Sequence, residues 1–266
     1  MRTPLEFACG GDTLFGTLDT APGQTGLLIV SGGNEIRTGA WAGQAQLAAR
    51  VAAAGHPVFR YDRRGVGDSS GTNRGFRETR DDIAAALGAF RAATPGLRRV
   101  VAFGNCDAAS AFMLFASDLE IDALVLANPW TLDRDDGDGD GSAVQAPAAL
   151  RSRYAAKLAD PAEWKRLLSG AIDLRQLAGG LRQAAAPAPR SALAEQMRGG
   201  LARFNGPVTI LLATRDRTAQ LFAAAWGDDP HVARLDSASH SFADEAAREW
   251  LYGQVFGEME RMEQSA

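Results

Sequence analysis

Residues 100–112 read VVAFGNCDAASAF: a short apolar run, the turn Gly104-Asn105-Cys106-Asp107-Ala108, and then residues that favour a helix. A brief continuous apolar run ending in glycine is the pattern of a strand buried on both faces. A strand that passes directly into a helix must turn sharply, and the residue at the centre of that elbow is forced into a strained conformation that exposes its side chain at the sheet edge. The residues two positions to either side must be small, because strand and helix backbones pass close by. Gly104 and Ala108 meet that demand around Cys106. The pattern is G-x-C-x-A rather than G-x-S-x-G, so the stretch alone leaves two readings open: a thiol nucleophile, or a small buried residue in a tight corner.

Working outward, strand-like and helix-like stretches alternate. LEFACGGDTLFGTLDTA (5–21) reads as a β-hairpin turning at Gly10-Gly11-Asp12, with Cys9 as a half-buried strand residue. TGLLIVSGG (25–33) is a buried strand ending in glycines; GAWAGQAQLAARVAAAG (39–55) is an Ala-rich helix stopping at Gly55. HPVFRYD (56–62) is the next strand, followed by the Gly-rich loop RRGVGDSSG (63–71); ETRDDIAAALGAFRAAT (78–94) is an amphipathic helix. After the elbow come the helix AASAFMLFASD (108–118) and the strand IDALVLANPW (121–130). This alternation predicts an α/β fold with a mostly parallel central sheet and helices on both faces.

Beyond Trp130 the rhythm breaks. TLDRDDGDGDGSAVQAP (131–147) is a low-complexity acidic loop, and the stretch after it is helical without a convincing strand. Strand patterns resume at GPVTILLATRD (206–216) and HVARLDSASHSF (231–242), and the chain ends in the helix DEAAREWLYGQVFGEMERM (244–262). The expected organisation is a core of residues 1–130 and 206–266 interrupted by a helical lid over residues 131–205, at the sheet edge where such folds bind ligands.

Composition narrows the function classes. Thirty-two acidic against 28 basic residues, a net charge of −4, leave no electrostatic footprint for nucleic acid or anionic membranes. The first residues carry acidic and glycine positions where a signal peptide needs an apolar core, and no apolar run reaches the roughly 18 residues of a membrane span, so a cytoplasmic protein is expected. Cys9 and Cys106 are not expected to pair, and two cysteines are too few for a zinc cluster. The run Asp136-x-Asp138-x-Asp140-Gly141 imitates the start of a calcium loop, but its twelfth position is Pro147 instead of a bidentate Glu, and a solvated linker is the better reading. No G-x-G-x-x-G follows a strand and no phosphate-binding loop is present, so no cofactor and no metal are expected.

A thiol attacks as thiolate and therefore wants an imidazole beside it. Of the 3 histidines, His56 opens a strand at the end away from the elbow and His231 stands at the approach to another strand. His240 alone lies just beyond a late strand. The acid that orients the ring is sought after the penultimate strand, which Asp216 ends; the strand after the elbow helix ends at Asn128 with no carboxylate, and Asp236 is expected on the last strand itself. The chain order Cys106, Asp216, His240 is that of the α/β-hydrolase fold. Backbone N–H groups of Asp107 and of Gly33 or Asn34 are the expected oxyanion donors, while Asp62 and Arg64 in DRRGVGDSSG are assigned to structure. Asp107 is awkward, because a carboxylate turned toward the thiol would disfavour its thiolate; it is expected to point away or to meet Arg37, Arg63 or another arginine.

LLIVSGGNEIRTG, FRYDRRGVGDSSG, FGNCDAASA, LVLANPW, PAEWKRLLSG and SASHSFAD together resemble the exosortase A system-associated hydrolase type 1 family over essentially the whole chain. The acidic DDGDGDG insertion departs from that family. The resemblance implies an α/β-hydrolase fold, a Cys-His-Asp triad at Cys106, His240 and Asp216, and an association with exopolysaccharide and protein-sorting loci of Gram-negative bacteria; it implies no substrate. The chemistry expected is acyl transfer from a small-molecule ester or thioester to water. An amide is disfavoured because an amine leaves poorly. Acyl transfer onto a glycan or alcohol acceptor, and a non-catalytic binding protein of the same fold, are the competing readings.

Overall fold

The computed structural model describes residues 1–132 and 191–264. The acidic loop with its calcium-like run, PAEWKRLLSG and most of the expected lid lie outside the described residues. Eight strands form one sheet in the order β1-β2-β4-β3-β5-β6-β7-β8. They are β1 Arg2–Cys9, β2 Asp12–Asp19, β3 Thr25–Val30, β4 Val58–Tyr61, β5 Arg99–Asn105, β6 Ala123–Ala127, β7 Val208–Ala213 and β8 Val232–Leu235. β1 and β2 are antiparallel to each other and β2 is antiparallel to β4, while β4, β3 and β5 through β8 run parallel. Cys9 pairs with Asp12, so the first hairpin turns on Gly10 and Gly11 alone. Both take positive φ, 58° and 93°, as a two-residue turn matched to strand twist requires. Asp12, expected in the turn, is thus the first residue of β2. Cys9, expected half-buried, is buried.

Six described helices flank the sheet: α1 Gly43–Ala53, α2 Arg80–Ala93, α3 Asp107–Phe115, α4 Ala192–Leu201, α5 Arg217–Trp226 and α6 Glu245–Gln264. Side chains alternate across a strand, so each buried strand serves two cores. Leu28, Val30, Val100, Ala102, Leu124 and Leu126 pack in one cluster with Ile83 and Phe90 of α2, Phe112 of α3 and Phe222 of α5. Leu27, Ile29, Val101, Phe103, Val125 and Leu211 pack in the other with Val51 of α1 and Leu251 and Val255 of α6. That two-sided burial is why β3, β5 and β6 read as unbroken apolar runs rather than as alternating ones.

Two elements differ from the sequence expectation. α4 falls inside the segment expected as lid, yet Leu193 and Met197 belong to the core, and a methyl on Gly200 would lie 2.0 Å from the Met113 carbonyl of α3. The last turns of that segment are therefore a core helix seated on α3. α5 was hidden between two strand patterns; its Phe222 and Trp226, one turn apart, stack at 5.0 Å on the sheet.

Candidate active site

β5 delivers the chain to the sheet's carboxyl edge, and Cys106 turns it into α3 with φ 60° and ψ −126°. A non-glycine residue holds such a conformation only where its surroundings over-determine it. Here the Cys106 N–H donates to the Ala127 carbonyl of β6 at 2.9 Å, and its own carbonyl accepts from the Ser110 and Trp130 amides, each at 3.3 Å. The small neighbours do what the motif demands. A methyl on Gly104 would sit 2.9 Å from Ala108 C, Ala109 N and Phe112 Cδ2, and Ala108 is fully buried.

β7 ends three residues before Asp216, which caps α5 by accepting from the Ala219 amide at 3.0 Å. The same carboxylate oxygen, Oδ2, lies 3.0 Å from Nδ1 of His240, in the loop after β8. Cys106 stands near enough to the ring to act on its charge. Burial alone would lower the imidazole's pKa; the hydrogen bond to Asp216 and the interaction with Cys106 outweigh it and raise the value to about 10. Cys106, His240 and Asp216 are thus brought together from three separated stretches of sequence. Asp236 stands just past β8, exposed and 2.9 Å from Arg215. His231 bonds Asp229 on the surface, and His56 is buried with its ring 3.1 Å from the Thr25 carbonyl.

The loop after β3 packs on the elbow. A methyl on Gly32 would lie 2.5 Å from the Asn105 carbonyl and 3.0 Å from Cys106 Cβ, so only glycine fits there. Gly33 has φ 55°, and the Glu35 amide closes the turn onto the Gly32 carbonyl at 3.1 Å. Of the expected oxyanion donors, the Asp107 amide heads α3, where first-turn N–H groups have no partner within the helix. The Gly33 amide is engaged: it donates to Asp107 Oδ1 at 2.7 Å. Asn34 ties its side chain to Asn73, with Oδ1 accepting at 2.8 Å. The Asp107 carboxylate meets Arg63, whose Nη2 is 3.4 Å from Oδ2. Arg37 is unavailable for that role because it is held by Asp62 and Asp68. Asp62, fully buried, also accepts from the Asp68 amide, and Arg64 pairs with Asp82 at 2.6 Å, so both residues tie the Gly-rich loop together.

Sequence reasoning missed the supports of the histidine loop. Asn128, fully buried with φ 43°, donates from Nδ2 to the His240 carbonyl at 2.9 Å and accepts from the Ala213 amide at 2.9 Å. Asn105 donates to the same carbonyl at 3.3 Å. Two amides thereby fix the peptide that carries the ring. The legible signal was an asparagine at the tip of each of two adjacent apolar strands. From the other side, Trp41 Nε1 donates to Ser241 Oγ at 3.0 Å.

Solved structures of this shape are numerous and distant in sequence. An esterase of Pyrococcus furiosus, Pf2001, is 14% identical with a TM-score of 0.61, the match covering 98% of this chain and 91% of that one. The α/β hydrolase GrgF of Penicillium sp. sh18 is 15% identical with a TM-score of 0.63, covering 98% of each chain. A thioesterase domain from the curacin biosynthetic pathway is 16% identical with a TM-score of 0.54, covering 96% of this chain and 99% of its own. No curated protein sequence matches the chain significantly. A family model described as "Alpha/beta hydrolase family" matches residues 27–253, from within β3 into the last helix. With the sheet order and the strained elbow already in place, that match assigns the chain: it belongs to the α/β hydrolase family.

Proposed function

We propose that this hydrolase cleaves a small-molecule carboxylic ester or thioester through an acyl-enzyme on Cys106, with His240 as acid–base and Asp216 as the residue that orients the ring. The observation that carries the reading is the arrangement itself: a cysteine strained at φ 60° beside an imidazole whose Nδ1 lies 3.0 Å from a buried carboxylate. In the first half-reaction the Cys106 thiolate forms a bond to the acyl carbon and the carbonyl π electrons move onto oxygen. Backbone donors at the elbow, with the Asp107 amide foremost, stabilise that charge. Collapse breaks the bond to the leaving alcohol or thiol, which takes its proton from His240. The ring, now neutral, accepts a proton from water as the water oxygen attacks the acyl carbon. The C–S bond then breaks, the acid departs, and the imidazolium–thiolate pair is restored.

The motif stretches support a closer relationship, to the exosortase A system-associated hydrolase type 1 family, and with it a role beside exopolysaccharide loci. Turnover of p-nitrophenyl acyl esters tests the chemistry. Trapping of an acylated Cys106 by mass spectrometry, and its loss in Cys106→Ala, are the expected results; unchanged rates in both Cys106→Ala and His240→Ala overturn the reading. Product analysis with an alcohol competing against water separates hydrolysis from acyl transfer.

A further inference from the structure

The residue after the proposed nucleophile carries a carboxylate that occupies an oxyanion donor. Asp107 Oδ1 accepts the Gly33 N–H at 2.7 Å, a distance at which that N–H cannot also serve a substrate oxygen. The fit is close: a methyl on Gly32 would meet the same Oδ1 at 3.1 Å. A developing oxyanion at Gly33 would carry the same sign of charge as the carboxylate it must replace. The displaced carboxylate has a place to go. Arg63 is 2% exposed, its Nη2 already stands 3.4 Å from Asp107 Oδ2, and it also donates to the Gly33 carbonyl. Its Nε and Nη1 are buried and make no hydrogen bond among the described residues. Leaving donors of a buried guanidinium unmade is costly, so a carboxylate arriving there gains what it loses at Gly33.

We infer that Asp107 and Arg63 are positioning residues that form a latch on the oxyanion pocket. At rest Asp107 caps the Gly33 amide; when an ester enters, the carboxylate swings fully onto the Nε–Nη2 edge of Arg63, and the Gly33 N–H turns to the carbonyl oxygen. No covalent bond changes and no proton is exchanged: the N–H···O contact at Gly33 breaks, one forms at Arg63 Nε, and the one at Nη2 shortens. The swing also neutralises Asp107 beside the thiolate, which removes the awkwardness of an acid next to the nucleophile. The inference rests on the proposed Cys106 chemistry.

The test compares two reactions of the same thiol. Acylation by p-nitrophenyl acetate, followed as a burst, needs the oxyanion donors; alkylation by iodoacetamide forms no oxyanion and reports thiolate reactivity alone. In Asp107→Ala the ratio of acylation to alkylation is expected to rise, by about threefold or more, because the Gly33 donor is no longer capped. In Arg63→Met the ratio is expected to fall by roughly 10- to 100-fold, because the carboxylate has no receiver and the donor stays capped. The double variant is expected to behave as Asp107→Ala. A ratio that falls equally in both single variants makes Asp107 a strut of the loop and overturns the latch. Parallel changes in both reactions reduce the effect to thiolate electrostatics and also overturn it, leaving the nucleophile intact. If thermal melting shows Arg63→Met unfolded, the sign of the Asp107→Ala change decides alone. An ester burst that survives in Cys106→Ala overturns the nucleophile reading instead, and the latch with it.

Discussion

Both cysteines stand where a strand gives way to a turn, and their surroundings are opposite. Cys9 ends β1, is 5% exposed, and has its sulfur 3.6 Å from the Asp82 carboxylate. Burial first, and then that carboxylate, push its pKa up to about 11, so at neutral pH it is a thiol with a hydrogen-bond acceptor and no base. Cys106 follows β5 in a strained turn, is partly exposed, and faces an imidazole. The two residues share side-chain type and a place at a strand's end, but not their surroundings. On the proposed reading, the elbow that exposes Cys106 and the ring beside it make a nucleophile, whereas a carboxylate in the ring's place leaves Cys9 a packing residue.

The comparison breaks first at the sulfur itself. Cys106→Ala is expected to lower ester turnover by at least about 10⁴-fold, as loss of a nucleophile does. Cys9→Ala is expected to leave turnover within about twofold while costing about 1 kcal/mol of stability, read from denaturant melts. Equal losses of activity in the two variants erase the distinction. Asp216→Asn removes the acceptor that fixes the ring and is expected to cost about 10²- to 10⁴-fold in kcat, whereas Asp236→Asn, on an exposed pair with Arg215, stays within about twofold.

Thiol reactivity sharpens the contrast. Iodoacetamide at neutral pH is expected to label Cys106 roughly 100-fold faster than Cys9, measured by peptide mass spectrometry, and His240→Ala is expected to remove most of that margin. The smallest effect is on stability. His240 has its pKa raised from 6.5 to about 10 in the fold, so the stability its charged form contributes is complete below pH 6.5 and fades as pH rises toward 10. The Tm gap between the native protein and His240→Gln is expected to narrow across that window by a few degrees. A gap that widens with pH contradicts the assigned charge.

Much of this was legible in the residues, for identifiable reasons. GLLIV and VVAFG read as strands because burial on two faces leaves no polar position in the run, and both belong to strands of the sheet's interior. Gly104 and Ala108 marked the elbow because no larger side chain clears the strand–helix crossing. The arginine facing Asp107 was foreseen only as a set that included Arg63 and Arg37; the choice between them turned on Asp62, which holds Arg37 and leaves Arg63 free to turn inward. α5 is hard to read from the residues because only three residues separate it from the end of β7, and one aspartate, Asp216, serves both as helix cap and as the ring's acceptor. α4 was assigned to the lid because its apolar face matches any amphipathic helix; nothing local says that Gly200 lies against Met113.

The sequence by itself determined the alternation of elements, the small residues of the elbow and the short list of groups able to act there, because these depend on periodicity, side-chain size and residue type along the chain. Tertiary structure alone decided what those groups meet. The hydrogen bonds from Asn105 and Asn128 to the His240 carbonyl, and the carboxylate of Asp107 on the Gly33 amide, join residues 135, 112 and 74 positions apart. Such contacts arise where β3, β5, β6 and the loop after β8 converge on one sheet edge. No local pattern encodes a distance between strands that only the closed sheet sets.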